Sequence, residues 1–380
     1  MTIRKYSAGL YRKGDGYKYF LPNHINVAIS IENPKIDLLV EKTSKSLGEL
    51  NVYSTLVPDI DFCVKMIVSA EATISSRIEG TKTEIQQVFL PEEEIAKEQR
   101  DDWKEVNNYI EAINYSVSRL KEFPLSMRLV KEAHQKLLSS GRGYSKQPGE
   151  IRISQNWIGG TLPSNAKFVP PHHNELPDLL TDLEKFWHND NLGIPILVKI
   201  AIAHYQFETL HPFLDGNGRM GRLLITLELV EKKFVEKPVL YMSYYLEKKR
   251  NEYFELLTLV REKNDIESWI IFFLETLYES TENLKDTFTE IIKLQKDYEA
   301  RIGGLSDARL KKIKNLIHYM FGKPILSVQD IATEFNITFP SANTMVNSLQ
   351  KVGVLQNISK NQRNRLFSLH EYINLFKYKG

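Results

Sequence analysis

Apolar residues recur at Cys63, Ile67, Ala70, Ile74 and Ile78, a 3.6-residue period that predicts a helix over 61–79 with Gly80 in a left-handed C-terminal cap. The same periodicity predicts helices over about 92–121, 125–139, 177–189, 195–210, 219–233, 246–262 and 266–300. Residues 141–175 break the habit with Gly141, Gly143, Pro148, Gly149, Gly159, Gly160, Pro163, Pro170 and Pro171, which predicts a loop or hairpin. Residues 1–60 are mixed, with Pro22, Pro34 and Pro58 punctuating short segments. The fold class is therefore mainly α.

From Ser306 the pattern changes to a helix at 308–321, a Ser327-capped helix at 328–335, a turn at Asn336 to Pro340 and a helix at 341–351. Two strands follow, Val354 to Ile358 and Arg365 to Leu369, about the polar turn Lys360 to Asn364. Residues 306–380 hold eleven Lys and Arg against four Asp and Glu, while the whole chain is only +2. The asymmetry marks a separate α/β module, and its element order resembles a winged helix. In such a module the third helix would read a DNA groove through Ser341, Asn343, Thr344, Asn347 and Ser348, with Lys351, Lys360, Arg363 and Arg365 nearby. Docking of another protein is the competing use of the same fold.

Composition narrows the class without choosing the chemistry. At 380 residues the chain is long enough for two or three cores, and 42% hydrophobic with 26% charged residues is ordinary for a globular protein. No apolar run reaches membrane-spanning length and Met1 to Tyr6 lack a signal-peptide core, so a cytoplasmic protein with no membrane association is expected. The single cysteine, Cys63, excludes an internal disulfide and falls on the apolar face of its helix.

The chemistry is concentrated in His211-Pro212-Phe213-Leu214-Asp215-Gly216-Asn217-Gly218-Arg219-Met220-Gly221-Arg222. A lone His between apolar residues is usually a satisfied core histidine, and Gly-Asn-Gly alone is usually a turn. Their combination with a carboxylate and two arginines three residues apart points instead to a triphosphate: glycines turn backbone N–H groups inward, and a helix start faces the anion.

These twelve residues match the Fic family core motif, His-Pro-Phe-x-(Asp/Glu)-Gly-Asn-Gly-Arg-x-x-Arg, at every defined position. The resemblance implies a helical core carrying a small β-hairpin flap, and transfer of AMP from ATP to a Ser, Thr or Tyr hydroxyl with release of pyrophosphate. It implies that His211 is the general base, a task suited to a neutral imidazole. It further implies that Asp215 holds Mg²⁺, and that ATP is bound by Gly216, Asn217, Gly218, Arg219, Met220, Gly221 and Arg222. Tyr253, followed by Phe254, falls where relatives carry two tyrosines near the adenine, and the phenylalanine departs from that pattern.

Ser75-x-x-x-Glu79-Gly80 resembles the family's inhibitory motif, in which the glutamate salt-bridges the second arginine of the core motif, here Arg222. The chain is then self-restrained by an N-terminal helix at about 61–79, and some relatives use the same glutamate to position a water that removes AMP, which leaves that second activity open. Gly149 to Arg152 and Gly160 to Pro171 resemble the flap, at about 149–171, along which a target peptide adds as a strand. Family habit adds self-modification and a homodimer to the expected partners. His204 and Glu208 precede His211 on one helix and are read as structural, and the adjacent His172 and His173 as solvated.

The expected organisation is thus an N-terminal region at 1–100, a Fic core at 101–300 and a winged-helix-like domain at 306–380. The competing function is a DNA-binding regulator whose nucleotide site senses ATP.

Overall fold

The computed structural model describes residues 4–57, 60–304, 307–359 and 364–377. Pro58, Ser306 and the turn residues Lys360, Asn361, Gln362 and Arg363 lie outside the described residues.

The chain opens with four short strands. β1 (Arg4–Lys5) pairs in parallel with β4 (Ile29–Ser30), and β2 (Gly9–Lys13) forms an antiparallel hairpin with β3 (Lys18–Pro22). A 23-residue helix, α1 (Pro34–Leu56), comes next where the sequence suggested only short segments. Pro34 opens it rather than breaking it: a first-turn residue needs no N–H partner, and the Asn33 side chain caps the end by accepting from Lys35 N at 3.0 Å.

α2 (Ile60–Ile78) lies where the period placed it, and residues on every side of it are buried, so it runs through the molecule rather than along its surface. The short α3 (Ile85–Val88) follows. α4 (Arg100–Arg119) begins later than expected, because the exposed glutamates 92–94 form an isolated turn and Ile95 then goes inward in extended backbone. α5 (Met127–Leu137), α6 (Leu176–His188), α7 (Ile196–Leu210) and α8 (Asn217–Glu231) hold close to their predicted bounds. The stretch predicted over 246–262 divides at Lys249 into α9 (Met242–Lys248) and α10 (Arg250–Lys263). The 37-residue α11 (Ile266–Ile302) then packs along α1 and α7, tied by Trp269 Nε1 donating to Ala201 O at 2.8 Å and Ser46 Oγ to Glu282 at 2.6 Å.

The remaining elements are α12 (Asp307–Gly322), β5 (Ile325–Ser327), α13 (Val328–Glu334), α14 (Phe339–Lys351), β6 (Gln356–Asn357), β7 (Leu366–Ser368) and α15 (His370–Asn374). The sheet order is β5-β7-β6, so a third strand joins the expected pair. Ser327 caps α13 in a reciprocal box with Asp330, and Pro340 sits inside the first turn of α14 rather than in the preceding turn.

This C-terminal unit packs on the first turns of α2. The Phe62 ring meets His318 edge-on at 5.2 Å between centroids, Tyr372 Oη donates to Cys63 Sγ at 3.9 Å, and Tyr241 Oη donates to Phe376 O at 3.2 Å. No described helix is long and apolar enough to cross a membrane.

Candidate active site where three helix ends meet

The C-terminal end of α7, the N-terminal end of α8 and the C-terminal end of α2 converge on one point. His211 closes α7 in left-handed backbone (φ +46°), and Gly216 opens α8 at φ +75°. The four-residue turn between them, Pro212 to Asp215, is held by hydrogen bonds at both its ends. Asn217 accepts from Phe213 N at 2.8 Å and donates to Phe213 O at 2.9 Å, while Asp215 accepts from Gly216 N at 2.7 Å. The first-turn N–H groups of α8 have no intrahelical acceptor and present a partial positive charge to the site.

Two residues outside the motif lock this turn in place. Arg152, 1% exposed, donates to the carbonyls of His211 (3.0 Å), Ser154 (3.0 Å), Pro171 (2.6 Å) and Leu210 (3.4 Å). One guanidinium therefore caps α7 and ties both ends of the 149–171 segment to it. His134 on α5 stacks on Phe213 at 3.7 Å between centroids and bridges Gly149 N (2.8 Å) and Asp215 O (2.9 Å). The backbone N–H of Gly149 must donate, so Nδ1 of His134 accepts and Nε2 carries the proton to Asp215 O. Burial pushes this imidazole down to about 4, which keeps it neutral.

Burial likewise pushes His211 down to about 4, leaving a neutral imidazole at physiological pH. Its Nδ1 faces Glu208 O at 3.4 Å, and Nε2 has no hydrogen-bond partner among the described residues. Asp215 keeps 42% of its side chain exposed beside it. Among the described residues no group of three His, Cys, Asp or Glu side chains could hold a metal. The chemistry of the donor set thus fits one hard carboxylate receiving a cation that brings its own oxygen ligands, not a resident metal cage.

From the other side, α2 ends in a Schellman cap: Thr81 N donates to Ser76 O at 3.2 Å and Gly80 N, at φ +102°, donates to Arg77 O at 2.9 Å. This places Glu79 at the cap position just past Ile78, where it faces α8. Its Oε1 lies 2.8 Å from Arg222 Nη2. Arg222 also donates to Ser75, from Nε to Oγ and from Nη2 to O, each at 2.8 Å. A side chain at Gly218 would run into the Glu79 carboxylate, so only glycine leaves room for it. Burial works against the charge on Glu79, yet Arg222 outweighs it and holds the carboxyl below the ordinary glutamate range. Burial also opposes the charge on Arg222, and Glu79 more than offsets that.

Four of the expected nucleotide ligands have close partners within the protein. Met220 is fully buried in the core, and Gly221 is where α7 and α8 nearly touch, since a Cβ there would collide with Glu208. Tyr253 is buried too, its hydroxyl 2.9 Å from His204 Nε2 and its ring beside Trp269; the exposed aromatic at that place is Phe254. Arg219, 4% exposed, pairs with Glu105 at 3.1 Å on α4 and reaches Asp215 only at 3.9 Å, so the two arginines pair with carboxylates on different helices. His204, bonded to Gly221 O at 3.0 Å, lies beneath the site, and Glu208, pushed up to about 7 by burial, faces Gly221. The His172 ring lies tilted against His173, 4.1 Å between centroids, and against Tyr19 at 6.2 Å.

Glu105, His134 and the full reach of Arg152 were not singled out from sequence. A His on the apolar face of α5 beside Leu129, Val130 and Leu137 reads as core, and only its two backbone partners reveal its place.

Residues 38–118 match the family described as Fic/DOC family N-terminal, and residues 124–229 match Fic/DOC family. The chain is 30% identical over 122 residues to a Caenorhabditis elegans protein adenylyltransferase, covering 32% of this chain and 22% of that one. It is 24% identical over 228 residues to the Drosophila yakuba protein adenylyltransferase Fic, covering 58% of this chain and 43% of that one. The chain thus spans less than half the length of these curated relatives. A crystal structure of a Fic family protein from Desulfovibrio desulfuricans superposes with a TM-score of 0.55 at 21% identity, over 89% of this chain and 97% of the other. A Fic domain containing signaling protein from Bacteroides thetaiotaomicron gives 0.53 at 20% identity, over 67% and 97%.

Proposed function

Residues 38–229 of this chain belong to the Fic/DOC family, and from that premise we propose that it transfers AMP from ATP to a Ser, Thr or Tyr hydroxyl of a protein, with pyrophosphate as the leaving group. The observation that carries the reading is a neutral His211 whose Nε2 is unpartnered at the positive end of α8. In that position Nε2 accepts the proton as the hydroxyl oxygen attacks the α phosphorus, the bond to the bridging oxygen breaks, and the helix-end N–H groups stabilise the charge that develops. Fixed donors of this kind contribute on the order of 3 to 4 kcal/mol each when removal of one is measured. Asp215 would hold the Mg²⁺ that arrives with ATP, and the ion supplies charge neutralisation at the phosphates. Arg219 is held in place by its ion pair with Glu105 and steadies the same region from behind.

The resting state is self-restrained in this proposal. Glu79 occupies the guanidinium edge of Arg222 that the γ-phosphate would otherwise use, so ATP entering with Glu79 in place is displaced from the productive geometry. The DNA-binding reading has no comparable support: α14 carries no charged side chain before Lys351, and Arg365 is engaged by Asn343 at 2.9 Å.

The test compares the wild type with His211→Ala and Glu79→Gly, each incubated with ATP and Mg²⁺ and weighed intact. AMP adducts on Glu79→Gly and none on His211→Ala support the assignment, and equal labelling of all three removes it.

A further inference from the structure

Beside the flap lies a groove of about 740 Å³ that the transfer chemistry does not use. One wall is the β2–β3 hairpin, with Tyr11, Lys13, Tyr17 and Lys18; the other is the flap, with Lys167 and Phe168. The two walls are joined, because Phe20 N on β3 donates to Val169 O at 2.9 Å, and the flap pairs across itself between Ile158 and Phe168. From Val169 the chain reaches Pro171 in two residues, about 7 Å of extended backbone. The carbonyl of Pro171 shares the Arg152 guanidinium with that of His211. The groove therefore adjoins the flap residues that lead to His211.

The charge of the groove is one-sided. None of Lys13, Lys18 and Lys167 forms an ion pair among the described residues, whereas Lys35, Lys136 and Lys249 each do. The acids near the walls are Asp15 in the hairpin turn and Glu262 beside Tyr11. Tyr11 is 48% exposed, and Trp157 and Leu162 on the flap are exposed as well, so apolar contact surface lies between the cations.

We propose that this groove takes an acidic segment flanking the hydroxyl of the target protein, and so selects which hydroxyls reach His211. The inference rests on the transfer reading only for the identity of the occupant. Lysines on a rigid hairpin and flap, spaced by aromatics, suit Asp or Glu side chains on an extended peptide whose backbone pairs with the flap edge. Three exposed ion pairs of ordinary strength together amount to about tenfold in affinity.

The test uses three labelled peptides of equal length, each with one Tyr and one Ser, flanked by Asp and Glu, by Gly and Ser, or by Lys and Arg. Binding to the full chain is read by fluorescence anisotropy at low and high salt. The acidic peptide is expected to bind about tenfold tighter than the neutral one at low salt. That advantage should vanish at high salt and in the K13E/K18E/K167E variant, while K13R/K18R/K167R retains it. Equal binding of acidic and neutral peptides, an unchanged triple charge reversal, or tighter binding of a single-stranded oligonucleotide of matching charge overturns the proposal. AMP transfer to the same peptides by Glu79→Gly separates the two readings. Charge-selective binding without transfer leaves the groove standing and removes the enzyme, whereas transfer blind to flanking charge does the reverse.

Discussion

Replacing Glu79 by Gly removes the carboxylate that ion-pairs with Arg222, and its effect can be worked from geometry. The 2.8 Å contact is a charge-assisted hydrogen bond to a guanidinium that is 2% exposed. The Glu79 side chain, however, is 40% exposed, so water already shares its charge and the pair is discounted toward the strength of a surface pair. About 1 to 2 kcal/mol is then released when Glu79 is removed, equivalent to about 5- to 30-fold in occupancy of the productive nucleotide pose. Correct seating of the α phosphorus adds to this, since a displacement of about 1 Å costs on the order of a hundredfold in rate. AMP transfer is therefore expected to rise about tenfold to hundredfold, measured as AMP adducts per unit time by intact-protein mass spectrometry. Ser75→Ala leaves the Ser75 carbonyl and Glu79 on Arg222, so it should raise the rate only a few-fold. If Glu79→Gly labels no faster than the wild type while both bind ATP, the competition for Arg222 is not what limits transfer.

Three further outcomes follow from the same geometry. Because the active form of His211 is neutral and burial holds its pKa at about 4, the rate should fall on the acid side only as pH drops through about 4; an acid limb near 6.5 in the pH profile of kcat/KM would count against a buried base. Arg152→Lys exchanges a planar fork serving four carbonyls for a single ammonium and should cost about 2 to 4 kcal/mol, a fall in Tm on the order of 5 °C by differential scanning fluorimetry. His134→Phe preserves the stack on Phe213 but strands Gly149 N and Asp215 O; a loss of about 2 to 4 kcal/mol with reduced kcat is expected, and wild-type Tm and rate would show that the turn holds itself.

Much of the fold was legible because helices announce themselves by period. α2, α5, α6, α7 and α8 fall within a few residues of the bounds the apolar spacing gives. α1 was hidden by a proline whose meaning reverses with position, and the Asn33-Pro34 start was the signal that went unused. The site was legible as a set of residues, not as a set of contacts. The motif brings His211, Asp215 and Gly216 to one turn, but spacing could not say that Arg219 faces α4 while Arg222 faces α2, or that Met220, Gly221 and Tyr253 serve the packing beneath. Those facts depend on which neighbour each helix meets, and Glu105 and His134 lie more than seventy residues from the motif.

α2 is continuous from Phe62, wedged against α12, to Glu79, a span of about 25 Å at the rise of an α-helix. Such an element acts as a lever arm: a tilt of about 5° about one end carries the other through about 2 Å, comparable with the whole length of the carboxylate–guanidinium contact. A tilt imposed where Phe62 meets the C-terminal unit would thereby move the carboxylate at the far end, the helix itself being the linkage.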